Sequence, residues 1–137
     1  MSSEKQLHRD VCIYLKKQYP GIRFKSDMSG EWIGGGKKNF GQTSRIASQR
    51  SHKGFPDIQI YERRGPFCSL AIELKAEGSS PFKKDETYKK EYAEGGKRHD
   101  QVLWVGHLRA LGWYGDFAVG FDEAKVLIDN YLKLKDA

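Results

Sequence analysis

Two neighbouring runs with strict period-two alternation constrain this chain most. They are Asp57-Ile58-Gln59-Ile60-Tyr61 and Cys68-Ser69-Leu70-Ala71-Ile72-Glu73-Leu74-Lys75, joined through Arg63-Arg64-Gly65-Pro66. Short alternating runs linked by a Gly-Pro turn read as an antiparallel hairpin. Residues i and i+2 of a strand share a face. Leu70, Ile72 and Leu74 therefore point one way, with Ile58 and Ile60 beside them, while Glu73 and Lys75 point the other way. Asp57 opens its strand on the polar face. In the matching register the hairpin brings Asp57 and Glu73 onto neighbouring strands.

The remaining elements surround that hairpin. Ser3 to Tyr19 reads as a helix, with Leu7, Val11, Tyr14 and Leu15 forming one apolar stripe. Ser3 with Gln6 fits a capping box, and Pro20-Gly21 stops the run. Ile22 to Lys25 reads as a short strand, and Thr43 to Ser51 as a short helix. Met28 to Asn39, with Gly30 and Gly34 to Gly36, reads as a loop or hairpin tip. Ser79 to Gly96 is polar and lysine-rich, and reads as a loop or a mobile helical insertion. Arg98 to Leu111 reads as a helix closed by Gly112, and Asp116 to Phe121 as a strand. Asp122 is the expected cap of a last helix reaching Leu134. The order is α-β-β-β-α-β-α. With 137 residues, no internal repeat and no shift in composition, residues 1–137 are expected to form one α/β domain.

Composition excludes several classes. No apolar run approaches the roughly 18 residues of a membrane helix, and the first residues lack the apolar stretch of a signal peptide. Cys12 and Cys68 cannot make a disulfide framework, so a reduced, cytoplasmic setting is the expectation. The net charge of +6 favours a polyanionic partner. Gly34-Gly35-Gly36-Lys37-Lys38 lacks the spacing of a phosphate-binding nucleotide loop, so no nucleotide cofactor is expected. No spacing among the four histidines suggests a zinc site, and His8 and His107 read as ordinary helix positions.

The polar face of the hairpin carries the chemistry. Two converging carboxylates repel unless a cation neutralises them, and hard oxygen ligands suit Mg²⁺ or Mn²⁺. An amine at Lys75 would lie within a side-chain length of such an ion, where it can orient water and stabilise charge on a phosphoryl oxygen. Plainer roles exist for each residue. Asp57 after a proline can cap a turn, and Glu73 with Lys75 can be a solvated strand face. Gln101 can be a surface helix residue, and Glu4 a first-turn carboxylate favouring the helix dipole.

The combination of Gly54-Phe55-Pro56-Asp57, Ile72-Glu73-Leu74-Lys75, Gln101 on the next helix and Gly112 before the last strand resembles the PD-(D/E)XK nuclease superfamily, and within it the VRR-NUC group. The resemblance implies a restriction-endonuclease-like core, a central mixed sheet flanked by helices. It implies that Asp57, Glu73 and the Leu74 carbonyl hold a catalytic Mg²⁺ or Mn²⁺, with Glu4 reaching a metal directly or through water. It implies that Lys75 acts on the nucleophilic water and that Gln101 supports the site. Stand-alone members, known from phages and bacteria, act on DNA and tend to dimerise. The long Ala76 to Arg98 segment departs from the family pattern.

Lys37, Lys38, Arg45, Arg50, His52 and Lys53 precede the Asp57 strand, and no acidic residue interrupts Gly34 to Pro56. They are the expected contacts to a nucleic-acid backbone, with a solvated loop as the plain alternative. Trp32 and Phe40 are candidates for stacking on unpaired bases or for burial. The expected activity is metal-dependent hydrolysis of phosphodiester bonds in structured DNA, such as flaps or Holliday junctions, by a homodimer. A non-cleaving DNA-binding module and an RNA-directed nuclease are the alternatives.

Overall fold

The computed structural model describes residues 3–27 and 52–135. Helix α1 spans Glu4–Gln18, strand β1 Phe24–Ser26, β2 Ile58–Ile60 and β3 Leu70–Lys75. Helix α2 spans His99–Ala110, β4 Tyr114–Val119 and α3 Gly120–Lys133. The four strands form one mixed sheet in the order β1-β2-β3-β4. The first three are antiparallel and β4 runs parallel to β3. This is the expected α-β-β-β-α-β-α order and the expected restriction-endonuclease-like arrangement.

The period-two pattern sets the register. Ile58 pairs with Ile72 and Ile60 with Leu70. Their side chains, with Leu74 and Ala118, meet Leu7, Val11 and Leu15 of α1 and Ala124, Ile128 and Tyr131 of α3 in the main core. Both the Tyr14 and Tyr19 hydroxyls donate to Asp129 Oδ1 at 2.6 Å, tying α1 to α3. Burial, reinforced by the Asp129 carboxylate, pushes the Tyr19 hydroxyl up to about 12. The other side of the sheet carries Phe117, packed with Val105 of α2 and with Tyr92.

Local chemistry explains the element ends. Ser3 Oγ accepts from Gln6 N at 3.1 Å, capping α1. Gln6 turns its side chain to Asp10 at 2.8 Å, so only half of the expected capping box forms. The first strand starts at Phe24, two residues later than the pattern suggested, opposite Ile60. The last strand starts earlier than expected, at Tyr114, because Leu70 already pairs there. Asp122 does not cap α3. The helix begins at Gly120, whose φ of +83° suits glycine, and Glu123 Oε1 accepts from Val119 N at 3.0 Å instead.

The outer edge of β4 is closed by side chains. Arg109 Nε donates to the Gly115 carbonyl at 2.7 Å, Asp116 Oδ1 accepts from Phe117 N at 2.8 Å, and Glu123 takes Val119 N.

The segment expected as a loop or mobile helical insertion is an ordered strap. It holds a single short helical turn, Lys90–Tyr92, and is pinned by backbone bonds. Lys83 N donates to Thr87 O at 2.7 Å, Lys89 N to Pro81 O at 2.8 Å and Arg98 N to Glu91 O at 2.8 Å. No helix among the described residues is long and apolar enough to cross a membrane.

Candidate active site

The β2–β3 pairing decides where the polar residues meet. One residue beyond the Ile58–Ile72 pair, Asp57 stands opposite Glu73. Asp57 Oδ2 accepts the Leu74 N–H at 2.8 Å, bridging the two strands where the ladder ends. That is a cross-strand bond, not the turn cap that its place after Pro56 allowed. The N–H and C=O of a strand residue open on the same edge, so the Leu74 carbonyl faces this side too.

Glu73 and Lys75 are not a solvated face. They are only 4% and 2% exposed, and Lys75 Nζ lies 3.6 Å from Glu73 Oε1. Burial pushes the Glu73 carboxyl well above the usual carboxylate range. The Asp57 charge pushes it further, Lys75 pulls it back, and a shared hydrogen bond with Asp57 and the Glu4 charge add to the rise. Glu73 Oε2 is buried with no hydrogen-bond partner. A buried carboxylate oxygen without a partner is costly. A bound cation would supply that partner and relieve the repulsion between Asp57 and Glu73, so the donor set fits the hard divalent ion expected here.

Helix α1 closes the site. Donor atoms of Glu4, His8 and Asp57 lie within 4.8 Å of one another, a spacing that a metal ion can bridge. His8 corrects the sequence reading. It is 3% exposed, and its Nε2 is 3.6 Å from Asp57 Oδ2. The signal was present, since Glu4 and His8 are four apart on one helical face and His8 adjoins the buried Leu7.

Gly54 fixes how the Asp57 loop meets α2. Its φ is +93°, and a Cβ there would lie 2.9 Å from the Asp100 carbonyl carbon and 3.0 Å from Gln101 N. The backbone thus lies directly on the first turn of α2, where Gln101 Oε1 is buried with no hydrogen-bond partner. His52, Lys53, Asp100, Leu103, Trp104 and His107 line a groove of about 520 Å³ along the same helix. Lys53 pairs with Asp100 at 3.7 Å on its rim. Lys37, Lys38, Arg45 and Arg50, with Trp32, Phe40 and the expected Thr43 to Ser51 helix, lie outside the described residues.

A VRR_NUC domain protein of known structure superposes on this chain with a TM-score of 0.68, covering 99% of this chain and 93% of its own at 20% identity. The two chains share one fold. No protein-family model matches the sequence, and no curated protein does. The likeness to the VRR_NUC protein is therefore one of fold, over nearly the whole of this chain.

Proposed function

We propose that this chain is a VRR-NUC nuclease, one catalytic domain that hydrolyses phosphodiester bonds in DNA with Mg²⁺ or Mn²⁺. The observation that carries this reading is the meeting of Asp57, Glu73 and buried Lys75 where the β2–β3 pairing ends, within a fold shared with a VRR_NUC domain protein. Asp57, Glu73, the Leu74 carbonyl and Glu4 would hold the metal, and His8 and Leu74 N–H orient Asp57 toward it. The ion, when bound, lowers the pKa of its water and neutralises charge on the attacked phosphate.

The chain's own residues do the rest. Lys75 holds the attacking water in line and takes up charge on a phosphoryl oxygen. Gln101 supports the site from the first turn of α2. His52 and Lys53 line the groove beside the Asp57 loop, in place to meet the phosphate backbone, with Lys37, Lys38, Arg45 and Arg50 continuing that basic run in sequence. The proposed substrates are branched or flapped DNA met in replication, repair or recombination, cut by a homodimer in a bacterial or phage-infected cytoplasm.

The test is a labelled panel of duplex, single strand, flaps and a four-way junction, with matched RNA, each with Mg²⁺, Mn²⁺ or EDTA. Cleavage of branched DNA that needs metal and vanishes in Asp57→Ala is the expected result. Salt-sensitive binding without cleavage would make the chain a binding module, and preferential cutting of RNA would overturn the DNA assignment. Light scattering on the purified chain reads the dimer directly.

A further inference from the structure

The strap between β3 and α2 does more than connect them. Its Tyr92 is 1% exposed, and the Lys75 ammonium sits 5.4 Å from the centre of the Tyr92 ring. That is within the range at which a ring face attracts a cation. Lys75 thus has two neighbours of opposite kind, the Glu73 carboxylate at 3.6 Å and the Tyr92 ring. A lysine stem has four rotatable bonds, and one carboxylate beyond ideal hydrogen-bond length does not fix all of them. A ring against the ammonium removes much of that freedom.

The strap is built to hold Tyr92 there. His99 Nδ1 lies 2.9 Å from the Tyr92 carbonyl oxygen, and the Tyr92 ring meets Phe117 edge-on with centroids 6.0 Å apart. Phe82 and Tyr88 stack at 5.0 Å and pack against the same Phe117. Gly96 lies against the Glu91 and Lys90 carbonyls so closely that a Cβ has no room. The turn carrying Tyr92 is therefore clamped by backbone bonds, an aromatic cluster and a close glycine contact.

We propose that Tyr92 is a positioning residue that holds the Lys75 ammonium in place, which makes the Ala76 to Arg98 strap a wall of the active site. The role rests on the nuclease reading, because Lys75 is the group positioned. The ring, not the hydroxyl, supplies the contact, so Tyr92→Phe retains it and Tyr92→Leu removes it.

Two measurements test this on the full chain. The first is steady-state cleavage of the best DNA substrate by wild type, Tyr92→Phe and Tyr92→Leu. Tyr92→Leu should lower kcat about ten- to a hundredfold with KM within about twofold, the expected scale for a misplaced catalytic group. Tyr92→Phe should stay within about threefold of wild type. The second is the NMR shift of the Lys75 ε-methylene in metal-free protein, assigned by its loss in Lys75→Arg. A proton near a ring face is shielded, so this signal should lie upfield of the other lysines in wild type and Tyr92→Phe, and return to them in Tyr92→Leu.

An unshielded Lys75 signal in wild type overturns the proposal even if Tyr92→Leu fails to fold. So does unchanged kcat in a folded Tyr92→Leu, or equal losses of kcat in both variants. A wild type that cuts no nucleic acid with either metal overturns the nuclease reading, and the positioning role with it, whatever the spectrum shows. An active wild type with any of the other adverse results overturns the positioning role alone.

Discussion

The two faces of β3 are equally buried and energetically opposite. Leu70, Ile72 and Leu74 lie fully buried under α1 and α3. Ala71, Glu73 and Lys75 are as deeply covered from the other side. On the first face burial stabilises, by roughly 1.5–3 kcal/mol for each large aliphatic side chain. On the second, burial works against the charges it encloses. It lifts Glu73 out of its usual titration range and leaves Glu73 Oε2 without a partner. A fold retains such groups at a net cost, and they mark the place where local rules yield to chemistry.

Three changes break or sharpen that contrast. Asp57→Asn strikes the charged face hardest. Its amide oxygen can still accept the Leu74 N–H, and it removes one of two repelling charges, so stability in denaturant should hold or rise. Cleavage should fall about a thousandfold or more, equivalent to about 4 kcal/mol in the barrier; a folded, destabilised and fully active variant would invert the contrast. Ile72→Ala should do the reverse, costing about 2–5 kcal/mol in urea unfolding. Wherever that variant remains folded, the cleavage residues should be unchanged in kind.

The smallest effect is the pH dependence of the metal-free chain. The Glu73 carboxyl is raised in the folded state, so its stabilising contribution is full below the usual carboxylate pKa. It is lost as pH rises through the raised value. The melting temperature of wild type relative to Glu73→Gln should therefore fall on going from about pH 5 to pH 8. Added Mg²⁺ should reverse that trend, with its largest stabilisation at the higher pH. A difference independent of pH would mean that Glu73 is not disfavoured as a charge.

Much of this architecture was legible because it follows from periodicity. Alternation over 57–61 and 68–75 gave the hairpin and the face of each residue, while the register that sets Asp57 opposite Glu73 is supplied by the folded pairing. The stripe of Leu7, Val11 and Leu15 fixed the buried face of α1. Alternation was silent on what covers the second face of β3, since a polar strand face reads as solvated until the covering element is known. The strap has no periodicity to read. Phe82, Tyr88 and Tyr92 converge through turns and backbone bonds, and their meeting on Phe117 depends on tertiary packing. His8 shows the complementary failure. A polar residue beside a helical apolar stripe reads as an ordinary helix position, although its spacing from Glu4 places both on one helical face, toward the acidic site.

The closed edge of β4 bears on how copies of this chain can meet. An open edge strand offers unpaired backbone groups to any passing strand, the usual seed of sheet extension between molecules. Here Arg109, Asp116 and Glu123 already occupy the Gly115 carbonyl and the Phe117 and Val119 amides. An incoming strand must displace these three side-chain bonds to complete a ladder along the edge. Self-association through a continuous sheet is thus discouraged on this flank of the molecule.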